Sequence, residues 1–455
     1  TNTNEFVCLP FWLYKNVASG ATVFSPQEGS ASIDLKFRTS RGKDGLEIGA
    51  ACPKPRPVAP TESTCRALQG TVQPPLERRS PVETIEADLQ VRGPFRDHTM
   101  LRNFKTVSRF LYGRGGFEKL DELIGEIRAD RTGGVAFVVD DVFREIPVAD
   151  RLPLRGGDAV LWVRVDEEPS TATVDALVEE IRGRGMDPPA AVVGLGGGSV
   201  LDIAKAVSVM LTNPGSSADY QGWDLVRNPS VYHIGVPTLS GTGAEVSRTA
   251  VLIGPVRKLG INSDYSVFDQ VLLDPDLTVT VPHEQWFYTG MDCYIHCVES
   301  LNGTFLNAFS RAYGEKALEL CREVFHGPRG AEADEKLMIA SLHGGMSIAH
   351  SQVGVCHALS YGLSYVLGLH HGVGNCVAFD CLEAFYPEGV AEFRDMCGRQ
   401  GIALPRGLAE NLDEARLAEM TRIALSLDPL WENALGPGWR ERMPESRVRE
   451  LYLRM

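Results

Sequence analysis

The sequence lacks any run of about 20 apolar residues, so no membrane-spanning helix is expected. It also lacks a basic excess. Lys and Arg number 45 against 59 Asp and Glu, giving a formal net charge of −14. That balance speaks against a nucleic-acid partner, which needs a basic face, but leaves room for an anionic substrate in a local basic pocket. The ten cysteines are spread over 455 residues without a repeating framework. A disulfide scaffold is excluded, and the thiols read as the reduced cysteines of a cytoplasmic enzyme. The chain opens on Thr1, not Met, as a trimmed start or a fragment does.

Hydrophobic periodicity is missing before about residue 100, and the stretch Ala51–Pro60 is rich in proline, which breaks helices and central strands. Residues 1–102 are therefore expected to be a poorly ordered extension. They lack the Arg-rich, acid-poor pattern of a transit peptide. Order is expected from residue 103. Strands are expected over 135–141, 159–165, 190–195 and 232–238, and helices over 116–128, 170–185 and 200–211, with Ser170 as an N-cap. Strand and helix in alternation predict a parallel α/β domain over 103–282. From residue 283 the pattern turns helical, with helices expected over 285–300, 305–325, 332–352, 355–367, 373–386 and 389–399. The fold class expected is a Rossmann-like sheet domain followed by an all-helical domain over 283–455.

Asp292 and His296 lie four apart in the apolar stretch Gly290–Ser300, on one face of a helix. His357 and His371 come from a second apolar stretch. Buried imidazoles and carboxylates need partners, and one carboxylate with three imidazoles suits a divalent transition metal such as Fe2+ or Zn2+. A competing thiolate site on Cys293, Cys297 and Cys356 ranks below this set, since such cysteines most simply serve as small buried hydrophobes.

The run Gly194-Leu195-Gly196-Gly197-Gly198-Ser199 follows an expected strand and opens an expected helix, where free N–H groups attract phosphate. It departs from the G-x-G-x-x-G spacing, so it reads as a variant dinucleotide loop. Asp141, at the end of the first expected strand, suits ribose hydroxyls, with a solvated acid or a helix cap as the alternatives. A second Gly/Thr/Ser loop, Pro237–Glu245, follows another strand. Arg248 and Lys258 are candidate anion contacts, with a surface cation as the alternative for each.

Gly196-Gly197-Gly198-Ser199 with Asp202, Pro237-Thr238 with Ser240-Gly241-Thr242 and Glu245, Gly290-Met291-Asp292 with His296 and Glu299, and His357 ahead of His371-Gly372 together resemble the iron-containing alcohol dehydrogenase family, over roughly residues 104–455. The stretches 220–225, 286–300 and 351–362 look most like its 3-deoxy-manno-octulosonate 8-oxidase branch. The resemblance implies Asp292, His296, His357 and His371 as metal ligands, Gly197, Gly198 and Ser199 as the phosphate loop, and Thr238, Leu239 and Lys258 as nucleotide contacts, with Asp141 as the ribose acid. Many family members carry a second His four residues after the first late ligand. Tyr361 stands there, and is the expected catalytic residue.

The resemblance further implies a divalent metal, in the cleft between the two domains, and NAD(P) as cofactors, and oxidation of the terminal C8 hydroxyl of a sugar acid to an aldehyde. That aldehyde would feed a pyridoxal-phosphate aminotransferase in lipopolysaccharide synthesis. Arg248 or Arg311 would meet the sugar carboxylate. A homodimer is allowed for. Two other readings stay open: a nicotinamide-dependent reductase of a small aldehyde, and a metal-binding scaffold without catalysis.

Overall fold

The computed structural model describes residues 103–455 except 167, 409 and 411. The extension expected over 1–102 lies outside the described residues. The first half holds strands β1 Arg109–Tyr112, β2 Val135–Asp140, β3 Ala159–Val163, β4 Ala191–Gly196, β5 Gly222–Trp223, β6 His233–Pro237, β7 Thr249–Ile253, β8 Lys258–Asn262 and β9 Gln270–Leu273. Six of them form one sheet in the order β1-β9-β6-β4-β2-β3, and every pairing in it is parallel. Residues of β2, β4, β6 and β9 are buried throughout. This is why β2 and β4 read as nearly continuous apolar runs: parallel strands with both faces covered have no polar side. Edge strand β3 alternates between buried and half-buried positions. Helices α1 Leu120–Asp130, α2 Thr171–Gly183 and α3 Gly198–Met210 cover the sheet. Ser170 caps α2 as expected, accepting from the Thr173 N–H at 3.1 Å.

The strand expected over 135–141 is not the first of the sheet. β1 precedes it and pairs with β9. β1, β9 and the small sheet β5-β8-β7 were not anticipated, because strands of two to five residues carry too little periodicity to stand out. The chain runs from β2 outward to β3, then crosses to β4 on the other side of β2. The carboxyl ends of β2 and β4 therefore flank a topological switch point, where open α/β sheets bind ligands.

The second half is helical: α4 His283–Asn302, α5 Ala308–His326, α6 Ala331–His350, α7 Val355–Leu367, α8 His371–Asp380, α9 Pro387–Gln400, α10 Glu414–Leu425, α11 Asp428–Leu435, α12 Trp439–Arg442 and α13 Glu445–Leu453. The helix expected over 373–386 ends at Asp380, and the helices beyond 400 were not anticipated. Every residue of α4 from Trp286 to Ser300 is buried. A helix buried all round is a central element, and here it is the one that carries Asp292 and His296.

The two halves close on the same turn of α4. A Cβ on Gly241 would lie 1.7 Å from the Thr289 carbonyl oxygen, and one on Gly372 would lie 2.7 Å from that of Tyr288. Only glycine allows the loop after β6 and the start of α8 to reach the backbone one turn before Asp292.

Candidate active site

Asp292 and His296 sit one turn apart on α4, with His296 Nε2 3.3 Å from Asp292 Oδ1. His357, on α7, brings its Nε2 to 3.2 Å from the same oxygen. His371, first residue of α8, places its Nε2 3.7 Å from Asp292 Oδ2. The structure brings these four side chains together from three helices; Asp292, His296 and His357 offer ligand atoms that all lie within 4.8 Å of one another, a group that does not include His371. The rings of His296 and His357 stack with centroids 4.7 Å apart.

Burial alone pushes the Asp292 carboxyl up, but His296, His371 and His357 outweigh it and hold it well below the usual carboxylate range. Burial pushes His296 down and takes His371 down to about 3. His357 goes the other way. Burial opposes its charge, but Glu299 and Asp292 overcome that and raise it to about 9. Near neutral pH the cluster therefore holds one carboxylate, two neutral imidazoles and one imidazolium.

Asp292 Oδ2 is buried with no hydrogen-bond partner among the described residues. A buried carboxylate oxygen left without a donor is costly. His371 Nε2 lies on the side of this oxygen and the His296 and His357 nitrogens on the side of Oδ1, and a donor set of one carboxylate with buried imidazoles fits a divalent metal such as Fe2+ or Zn2+.

Two outer residues complete the cluster. Glu299, one helical turn beyond His296, accepts from His357 Nδ1 at 2.5 Å and from the Cys356 N–H at 2.6 Å. Its bond to Nδ1 directs the Nε2 lone pair of a neutral His357 toward Asp292, as outer carboxylates do for metal-binding histidines. Asn375 donates from Nδ2 to Asp292 Oδ1 at 2.6 Å. The sequence reading gave neither a role, though 292, 296 and 299 share one helix face and 371 and 375 another.

On the sheet side, Gly197 is the N-cap of α3 and no side chain caps that helix. Gly197, Gly198 and Ser199 are half-buried at the end of β4, with free N–H groups suited to a phosphate. The loop after β6 packs against them. A Cβ on Gly197 would meet Leu239 at 3.4 Å, and one on Gly198 would meet Thr242 at 2.8 Å. Thr238 bonds through its N–H to the Gly196 carbonyl at 3.0 Å. Asp141 stands just past β2, across the switch point from Gly197, and is half-buried. The local cap is its neighbour Asp140, which accepts from the Val142 N–H.

Lys258 is nearly fully buried. Its Nζ lies 2.5 Å from Glu168 Oε2 and 5.3 Å from the centre of the Tyr361 ring. Tyr361 in turn packs edge-on against His371, with centroids 6.0 Å apart. Its phenol is pushed up by burial and by Asp202, Asp292, Glu168 and Glu299. Glu168, which the sequence reading missed, also accepts from the His371 N–H at 2.8 Å. Burial raises its carboxyl, but Lys258 and His371 hold it below the usual range.

Arg248 does not fit the anion role. Its guanidinium is spent on Asp224 at 2.6 Å and Asp264 at 2.7 Å. Among the described residues the cysteines are not gathered into a metal site either. Cys293 faces Cys321 and the Ala340 carbonyl, while the Cys356 thiol donates to the Asn375 carbonyl. Cys293, Cys297, Cys321 and Cys356 are all buried and free.

Residues 108–275 match the family described as iron-containing alcohol dehydrogenase, and residues 286–419 its C-terminal domain. Sulfoacetaldehyde reductase of Bilophila wadsworthia is 31% identical over 279 residues, covering 59% of this chain and 70% of the reductase. The 4-hydroxybutyrate dehydrogenase of Cupriavidus necator is 30% identical over 274 residues, covering 54% and 69%. Among solved structures, 1,3-propanediol oxidoreductase superposes with a TM-score of 0.67 at 22% identity, over 78% of this chain and 99% of that one. Sulfoacetaldehyde reductase from Bifidobacterium kashiwanohense, in complex with NAD+, gives 0.65 at 22% identity, over 78% and 98%. With both halves of the family matched and the buried Asp/His cluster in place, the chain belongs to the iron-containing alcohol dehydrogenase family and is a metal-dependent alcohol oxidoreductase.

Proposed function

We propose that the chain oxidises the terminal C8 primary hydroxyl of 3-deoxy-manno-octulosonate to the aldehyde, with NAD(P)+ as hydride acceptor. Asp292, His296, His357 and His371 would hold the metal. Gly197, Gly198, Ser199, Thr238, Leu239 and Lys258 would hold the dinucleotide, and Asp141 its ribose. The same reading divides the chain into an extension over 1–102, a cofactor domain over 103–282 and a metal domain over 283–455.

When bound, the metal supplies Lewis acidity that lowers the pKa of a coordinated hydroxyl. The protein does the rest. Asp292 stays ionised in the buried cluster, Glu299 orients His357, and the glycine loop aims the dinucleotide from the sheet side. Tyr361 stands between the imidazole cluster and Lys258. Its phenolic O–H can bond a sugar hydroxyl and hold the reacting carbon in line. The tyrosine beside His371 is the observation that supports the sugar-acid reading, together with the resemblance of 220–225, 286–300 and 351–362 to the octulosonate oxidase branch. Consumption of the aldehyde by a pyridoxal-phosphate aminotransferase belongs to the same proposal.

The test uses metal-loaded protein with 3-deoxy-manno-octulosonate, following aldehyde with NAD+, with NADP+ and with oxygen alone. Aldehyde in any of the three supports the substrate, and the productive acceptor is thereby identified. No aldehyde from fully metal-loaded protein overturns the substrate. The second reading, reduction of a small aldehyde, draws on the likeness to sulfoacetaldehyde reductase. Rapid NADH consumption with such aldehydes favours it.

A further inference from the structure

We infer that Glu168 is a positioning residue for His371, an inference that rests on the metal-dependent reading above. His371 is the candidate ligand least fixed by its own surroundings. Its side chain is 25% exposed, against 5% for His296 and 2% for His357. His296 lies in the middle of a fully buried helix, and the ring of His357 is oriented by Glu299. His371 has neither support. It is the first residue of α8, its Nδ1 is buried without a partner among the described residues, and the preceding residue, His370, caps the helix with no side-chain bond.

The support comes from the other half of the chain. Glu168, between β3 and α2, accepts from the His371 N–H at 2.8 Å. The first N–H groups of a helix have no partner within it, and a carboxylate there is favoured by the helix dipole. Glu168 is itself held on both sides. Lys258 Nζ sits 2.5 Å from its second oxygen, the next residue's carbonyl, Pro169 O, accepts from the Ile253 N–H at 2.7 Å, and Ser170 caps α2. The chain of bonds runs from the small sheet through Glu168 to the backbone of His371. The same carboxylate pairs with Lys258, which lies over Tyr361. One side chain thus sets the fourth ligand and holds the neighbour of the proposed catalytic phenol.

The experiment measures release of Zn2+ or Co2+ from loaded protein to excess chelator, with circular dichroism melting as a check on folding. Because E168A leaves Lys258 buried without a counter-charge, the variants are E168Q, which keeps one acceptor, and the double variant E168A/K258M, which removes both charges. The expected result is release about 10-fold faster or more from E168A/K258M, the usual scale for an outer partner of a metal ligand, with E168Q between it and the wild type. Wild-type release from a folded E168A/K258M overturns the inference and leaves the metal reading standing. Should E168A/K258M fail to fold, E168Q decides: faster release supports the inference, and unchanged release overturns it. A wild-type protein that takes up no metal overturns the metal reading and the inference with it.

Discussion

Metal uptake should be governed by one proton on His357. In the metal-free protein this imidazole is raised to about 9, since Glu299 and Asp292 outweigh its burial. Its Nε2, the atom facing Asp292, therefore carries a proton at pH 7. Burial keeps His296 and His371 neutral there, and Asp292 is ionised. A metal must displace that proton while Nδ1–H stays with Glu299. Affinity should rise tenfold per pH unit from pH 7 to 9 and level off above, a total of about 2.7 kcal/mol at 1.36 kcal/mol per unit.

Chelator-buffered Zn2+ titrations at fixed ionic strength read the slope. Calorimetry in buffers of different ionisation heat reads the proton. In Glu299→Gln the charge that raises His357 is gone, so the plateau should begin at lower pH. At pH 9 the variant should bind about 10–100-fold more weakly, the scale of a lost outer carboxylate, and the gap should narrow toward pH 7, where only the wild type still has a proton to displace. The metal-free protein gives a second readout. A folded-state value above the unfolded 6.5 contributes stability that is full below pH 6.5 and lost as pH rises through 9, roughly 3 kcal/mol over the window. Wild-type affinity that is flat from pH 7 to 9, with no proton released, would refute the assignment of the proton to His357.

Three further outcomes are expected. Tyr361→Phe should lower kcat on the sugar acid while metal content stays at the wild-type level, measured by elemental analysis alongside turnover; unchanged turnover removes the phenol from the reaction. Gly241→Ala should destabilise by about 3 kcal/mol or more, since its φ of +150° disfavours a side chain and the Cβ would fall 1.7 Å from the Thr289 carbonyl oxygen; a urea midpoint equal to wild type contradicts the packing described. Gly125→Ala, in the middle of α1 with nothing within 4 Å of the new methyl, should instead stabilise by about 0.5–1 kcal/mol in the same assay.

How far the sequence reaches depends on how local each signal is. β2, β4 and β6 were legible because strands buried on both faces need unbroken apolar runs. The Asp292/His296 pair was legible because two polar groups at helical spacing stand inside a fully apolar stretch, which is unstable unless something satisfies them. Helix α10 was equally readable from Leu417, Met420, Ile423 and Ala424 on one face behind the cap Asp413, and the expected helices simply stopped short of it. The small sheet is of another kind: β5 has two residues and exists only because β8 lies beside it.

Glu168 belongs with the small sheet. Nothing around it in sequence separates it from a solvated loop acid. Its meaning comes from Lys258, ninety positions on, and from the His371 N–H, two hundred and three positions on. Arg248 shows the same limit from the opposite side, since only the fold brings Asp224 and Asp264 onto it and cancels its charge. The ligands of such a centre announce themselves because each is costly to bury alone. Glu168, which holds such a ligand in place, is inconspicuous until the chain has folded, because the bond it makes is to a backbone N–H, a group that all residues but proline carry.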